Sequence, residues 1–113
     1  MVTIEKLKEF GADTEEGLNR CMGNQDLYFR LVSKAVDHPD FDLIGKQISE
    51  HDLSGAFESA HALKGVLGNL SLTPLYDKVS EITELLRNRS EGDYQVLLDQ
   101  IASLRTKLVE LIG

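Results

Sequence analysis

The chain has 113 residues, a formal net charge of -7, and 42% hydrophobic and 27% charged side chains. That is enough chain for one domain, 1–113, with its own apolar core, and it is too hydrophobic for disorder. The acidic balance argues against nucleic acid or an acidic membrane as partner and favours a protein. A single cysteine, Cys21, rules out an internal disulfide, and with no basic neighbour it reads as a small apolar helix residue. The start, MVTIEKLKEF, lacks the layout of a signal peptide, and no apolar run is long enough to span a bilayer, so a cytoplasmic location is expected.

Along the chain, residues 3–9 are expected to form one short turn or helix. Thr14, followed by Glu15 and Glu16 at the positive end of a helix dipole, starts a second element that Gly23 stops. Asn24 caps a third, which carries Tyr28, Leu31, Val32 and Ala35 on one face and ends before His38-Pro39. A weaker helix follows with Phe41, Ile44 and Ile48, and Gly45 counts against it. Residues 53–70 place Leu53, Ala56, Ala60, Leu63, Leu67 and Leu70 on one stripe. The pattern repeats over 74–88 with Leu75, Val79, Ile82 and Leu86, opened by Thr73 as cap and Pro74 as first helical residue. It returns over 94–112 with Tyr94, Leu97, Leu98, Ile101, Leu104, Leu108 and Leu111, where Ser90 and Asp93 have the spacing of a capping box. No alternating β-branched run suggests a strand. The predicted class is all-α, an antiparallel up-and-down four-helix bundle with short N-terminal helices closing one end of its core.

One stretch departs from the logic of a core helix. AHALKGVLGNL, residues 60–70, carries a histidine and two glycines, and each glycine costs about 1 kcal/mol of helix stability relative to alanine. On a wheel of about 100° per residue, His61 lies roughly 130° from the centre of the apolar stripe and points outward. Gly65 and Gly68 fall on the same face, four and seven residues on. Helical side chains lean toward the N-terminus, so a side chain at 65 would cover the imidazole, and glycine leaves the approach open. Lys64 lies between this face and the core, within reach of an anion held on the ring. The wheel alone is equally consistent with a solvated surface histidine and with glycines that admit a neighbouring helix.

His61-Ala62-Leu63-Lys64-Gly65, followed by Gly68, resembles the phosphorylation motif of histidine-containing phosphotransfer (HPt) domains: histidine, any residue, leucine, lysine, glycine, with a further glycine downstream. Glu16-Gly17-Leu18-Asn19-Arg20 through Gly23, then Tyr28 and Leu31, is similar to the N-terminal part of many bacterial members, and the chain length suits a free-standing module. The resemblance implies a phosphorelay intermediate with His61 as phosphoacceptor. It further implies Lys64 as the cation that stabilises the phosphoryl group, Gly65 as the residue that gives a partner access, and Gly68 as a weaker aid to access. Partners would be response-regulator receiver domains or a hybrid histidine kinase. No cofactor is expected on this chain, with Mg2+ carried by the receiver. The module would be a monomeric carrier without a kinase site, since no P-loop signature is present.

Three other readings compete. A docking module could bind a receiver without being phosphorylated. A metal could be held by His38, His51 and His61, although the first two fall at predicted helix ends and no pair has ligand-like spacing. Carboxylates such as Glu15, Glu16, Glu81 and Glu84 could be catalytic, although such residues usually form a solvated helix face. A docking patch around His61 needs apolar contact, and Phe57 and Leu72 are its candidate members.

Overall fold

Helix starts in this chain are set by short polar side chains that accept a free backbone amide. Thr3 accepts from the Lys6 amide, Asp13 from Glu16, Asn24 from Leu27, Asp52 from Gly55 and Asp93 from Val96, all within 3.0–3.2 Å. The chain is described here by a computed structural model covering residues 1–89 and 93–113. Its helices are α1 (Ile4–Phe10), α2 (Thr14–Arg20), α3 (Gln25–Ala35), α4 (Asp40–Ser49), α5 (Leu53–Asn69), α6 (Thr73–Arg87) and α7 (Tyr94–Ile112). No strand occurs among the described residues.

Two starts differ from expectation by one residue. Asp13, not Thr14, caps α2, because its carboxylate reaches the Glu16 amide while Thr14 turns into the core. In α6 Thr73 is itself the first helical residue, Pro74 the second, and the cap position falls on Leu72, which offers no side-chain acceptor. Asp93 caps α7; its suggested partner Ser90 lies outside the described residues. Gly45 does not break α4: a Cβ there would meet the Leu98 methyls at 3.8 and 3.9 Å, ordinary contact between α4 and α7.

The four C-terminal helices form the antiparallel bundle. α5 packs between α4 and α6, α6 packs on α7, and α1 lies against α7. The turns 50–52 and 70–72 are too short to do anything but reverse direction. Ala56, Ala60, Leu63 and Leu67 of α5 and Leu75, Val79, Ile82 and Leu86 of α6 are all buried in the common core. Each such leucine, isoleucine or valine contributes about 1.5–3 kcal/mol by leaving water. Arg105 of α7 ties down the start of α4: its Nε donates to the Val36 carbonyl at 2.7 Å, and its guanidinium lies 4.8 Å from the centre of the Phe41 ring. Leu31 was expected inside with Tyr28, Val32 and Ala35 but is 36% exposed, on the outer edge of the α3 stripe.

The N-terminal helices grip the turn between α5 and α6. Gly11 ends α1 at φ +107, a conformation that a Cβ would strain. The Asp13 amide then donates to the Ser71 carbonyl at 3.0 Å, and Ser71 Oγ donates to Glu16 Oε1 at 3.1 Å. From α3 the buried Tyr28 hydroxyl donates to the Leu70 carbonyl at 2.9 Å. Its ring occupies the space that a side chain at Gly17 would need: a Cβ there would stand 2.5 Å from Tyr28 Cζ and Oη. Burial, with Cys21 and Asp13 adding to it, pushes this phenol up from 10 to about 12.

Candidate functional site

The buried stripe of α5 fixes what its opposite face must show. With Ala56, Ala60, Leu63 and Leu67 inward, His61 and Gly65 are exposed, and Lys64 and Gly68 lie at the border. Against this face opens a hollow of about 530 Å³. Its walls come from three parts of the fold: His61, Lys64, Gly65, Gly68 and Asn69 from α5, Thr73, Tyr76 and Asp77 from α6, and Asp13, Glu16 and Arg20 from the N-terminal helices, with Ser71 at its base.

The two glycines do different things. A Cβ at Gly65 would meet nothing within 4 Å, so this glycine makes room for no part of the chain itself. A Cβ at Gly68 would stand 3.0 and 3.2 Å from Cε1 and Cδ1 of Tyr76. Gly68 lines the hollow, and the space that a side chain there would need is taken by the Tyr76 ring from α6. Leu72 is corrected: it is fully buried between α5 and α6 and offers nothing to a docking partner. Phe57 is partly exposed, as a docking residue would be, and its ring stacks against the imidazole of His61 with centroids 5.8 Å apart.

Lys64 brings an ammonium group to the site. Its ammonium lies 6.0 Å from the centre of the Tyr76 ring, at the outer reach of a cation–π contact, and among the described residues it forms no ion pair. The other cation of the hollow, Arg20, is committed: it bonds Glu16 Oε1 at 3.1 Å and Asn69 Oδ1 at 3.3 Å. An incoming anion beside His61 thus has one cation that gives up no ion pair to meet it.

The remaining histidines sit elsewhere in other settings. His38 Nδ1 accepts the Asp40 amide at 3.1 Å and lies 3.5 Å from the Asp40 carboxylate, at the start of α4. His51 is exposed just past the end of α4, at φ +60. Among the described residues no group of three His, Cys, Asp or Glu side chains is placed to hold a metal ion. Glu81 and Glu84 form surface pairs with Lys78 and Arg87 at 3.3 and 3.2 Å, the solvated arrangement expected of such residues.

The sequence reading places none of Tyr76, Arg20 and Asp77 at the site. Tyr76 had a signal, an aromatic residue lying off the apolar stripe of Leu75, Val79 and Ile82. Arg20 had none, because only the packing of α2 over the 70–72 turn brings it to the hollow.

No curated protein and no solved structure matches the chain significantly. A family model described as Hpt domain matches residues 35–111, from the last residue of α3 through nearly all of α7, a span that includes the whole bundle and His61. The match covers well over half of the sequence, and the chain belongs to the Hpt domain family, carriers of phosphoryl groups on histidine within phosphorelays.

Proposed function

We propose that His61 is the phosphoacceptor and that the chain relays a phosphoryl group between receiver domains. The carrying observation is the open space over Gly65 beside an exposed imidazole, next to a lysine that forms no ion pair among the described residues. A lone pair of the neutral ring forms the N–P bond while the acyl O–P bond of the donor's aspartyl phosphate breaks, and the aspartate leaves as carboxylate. The reverse step on a second receiver returns the ring to its neutral state. Phosphoryl transfer asks mainly for positioning and charge neutralisation. Lys64 supplies a cation next to the phosphorylated ring, and the metal ion of the exchange belongs to the receiver.

Gly65 admits the receiver's active-site edge to the ring. The fold provides no other chemistry at this point: the hollow's carboxylates Asp13, Glu16 and Asp77 would repel a free phosphate, which suits delivery by a bound protein better than capture from solution. No described helix is long and apolar enough to cross a membrane, and we place the exchange in the cytoplasm, with the chain acting as a monomer.

The test is phosphoryl transfer from a phosphorylated receiver. The wild type should acquire a label that acid removes and base leaves, and His61→Gln should acquire none. Undiminished labelling of a folded His61→Gln protein refutes the assignment and points to another acceptor, whereas a wild type that takes no label returns the chain to the docking alternative.

A further inference from the structure

Two helices send side chains to one aromatic ring beside His61. Phe57 precedes His61 by four residues on α5, one turn along the same face, and its ring plane lies 20° from that of the imidazole. From α6 the guanidinium of Arg87 approaches the same ring, its carbon 5.1 Å from the centroid. Arg87 is in turn steadied by Glu84, Nε to Oε1 at 3.2 Å.

We infer that Phe57 is a positioning residue for His61: held by Arg87 from the neighbouring helix, its ring fixes the orientation of the imidazole and so sets the rate of phosphoryl exchange rather than the affinity for the partner. This rests on reading His61 as the phosphoacceptor.

An exposed histidine ordinarily samples several staggered rotamers. In-line displacement at phosphorus accepts only a narrow range of nitrogen positions, so time spent in other rotamers is lost to the reaction. Among the described residues His61 makes no hydrogen bond and no ion pair, and on its other side Gly65 contributes no side chain. Among the described residues the Phe57 ring is therefore the one directional contact to the imidazole. Offset stacks of this separation favour the stacked rotamer by roughly two- to tenfold. A free phenylalanine at a half-exposed position would itself wander; a guanidinium over its ring, anchored to another helix, removes that freedom.

The experiment is single-turnover transfer from a phosphorylated receiver, followed as receiver concentration is raised, in wild type, Phe57→Leu, Phe57→Tyr and Arg87→Gln. Phe57→Leu should lower the maximal rate by roughly three- to tenfold while the half-saturating concentration stays within about twofold. Phe57→Tyr should restore the rate. Arg87→Gln, at an exposed position, should give a smaller fall in the same parameter. The Cδ2 and Cε1 protons of His61, read by NMR in the unphosphorylated protein, should carry a ring-current shift that Phe57→Leu removes and Phe57→Tyr keeps. A raised half-saturating concentration at unchanged maximal rate would make Phe57 a docking contact and overturn the proposal, as would His61 resonances that ignore Phe57→Leu. Failure of the phosphoacceptor reading shows separately, as a labelled His61→Gln protein, and leaves the ring-current result standing.

Discussion

Gly65→Ala and Gly65→Leu separate access from packing. A methyl group at position 65 meets no atom within 4 Å, so Gly65→Ala creates no clash and gains only helix propensity, about 1 kcal/mol. For a domain of this size that raises the melting temperature by roughly 4 °C. Gly17 supplies the contrasting standard within the same molecule. There a Cβ would stand 2.5 Å from Cζ and Oη of the buried Tyr28, so Gly17→Ala should lose about 1–3 kcal/mol to overpacking in spite of the same gain in propensity. Gly65→Leu should melt no lower than wild type, since leucine is nearly as good a helix former as alanine and has open space to occupy. Its side chain leans toward the N-terminus, over His61, and fills part of the hollow that a receiver must enter. Transfer from a phosphorylated receiver should fall at least about tenfold, a barrier increase on the order of 1.4 kcal/mol. Labelling by a small phosphoramidate should change much less, because a donor of a few atoms passes the leucine. Thermal melts and transfer rates on the three variants decide the matter. If Gly65→Leu melts well below wild type yet its folded fraction transfers normally, the glycine serves packing and the argument from open space is wrong.

Two further outcomes follow from neighbouring groups. Lys64→Ala should shorten the phosphohistidine lifetime or slow transfer by roughly fivefold, the worth of one partly exposed charge contact of about 1 kcal/mol, measured by decay of the isolated phosphoprotein; complete loss of labelling, or no change, would contradict the role given to the ammonium group. Tyr28→Phe strands the Leu70 carbonyl and should cost about 1–2 kcal/mol at pH 7 in denaturant melts. Because the phenol is raised from 10 to about 12 in the fold, the unfolded chain releases its proton first as pH climbs past 10, so wild-type stability should decline between pH 10 and about 12 by an amount on the order of 2 kcal/mol. The phenylalanine variant lacks that decline, and a gap between the two proteins that widens with pH would refute the linkage.

The helices were legible because burial imposes a period on the sequence. Leu63 and Leu67, or Val79, Ile82 and Leu86, fall where a 3.6-residue repeat puts them, and their burial follows. A wheel, however, describes one helix in isolation. It places Gly65 and Gly68 on a common face and has no means of knowing that Tyr76 of α6 lies over one of them and nothing over the other. Leu72 shows the same limit in a turn: with no period to read, its side chain looked available, and only tertiary packing buries it. Helix starts slipped by a residue at Thr14 and Thr73 because several hydroxyl and carboxyl side chains stand in line, and backbone geometry selects among them. The Phe57–His61 pair was present in the text as a spacing of four, but Arg87 reaches that ring from thirty residues away in sequence.

The grip of the first three helices on the 70–72 turn bears on how this protein can be cut and spliced. The family match begins at Ala35, and a designer fusing a sensor or swapping relays would be tempted to excise the chain there. That cut discards Leu7, Phe10, Tyr28 and Val32, all buried, and strips the Leu70 and Ser71 carbonyls of their donors from Tyr28 and Asp13. The fragment would expose an apolar scar next to the hollow beside His61. Insertions belong instead at the Met22–Gly23 bend, where Met22 is 89% exposed and a Cβ on Gly23 would touch nothing. Cargo carried there travels with the whole bundle, and the segment that a family alignment would trim becomes the part of the molecule that makes the rest portable.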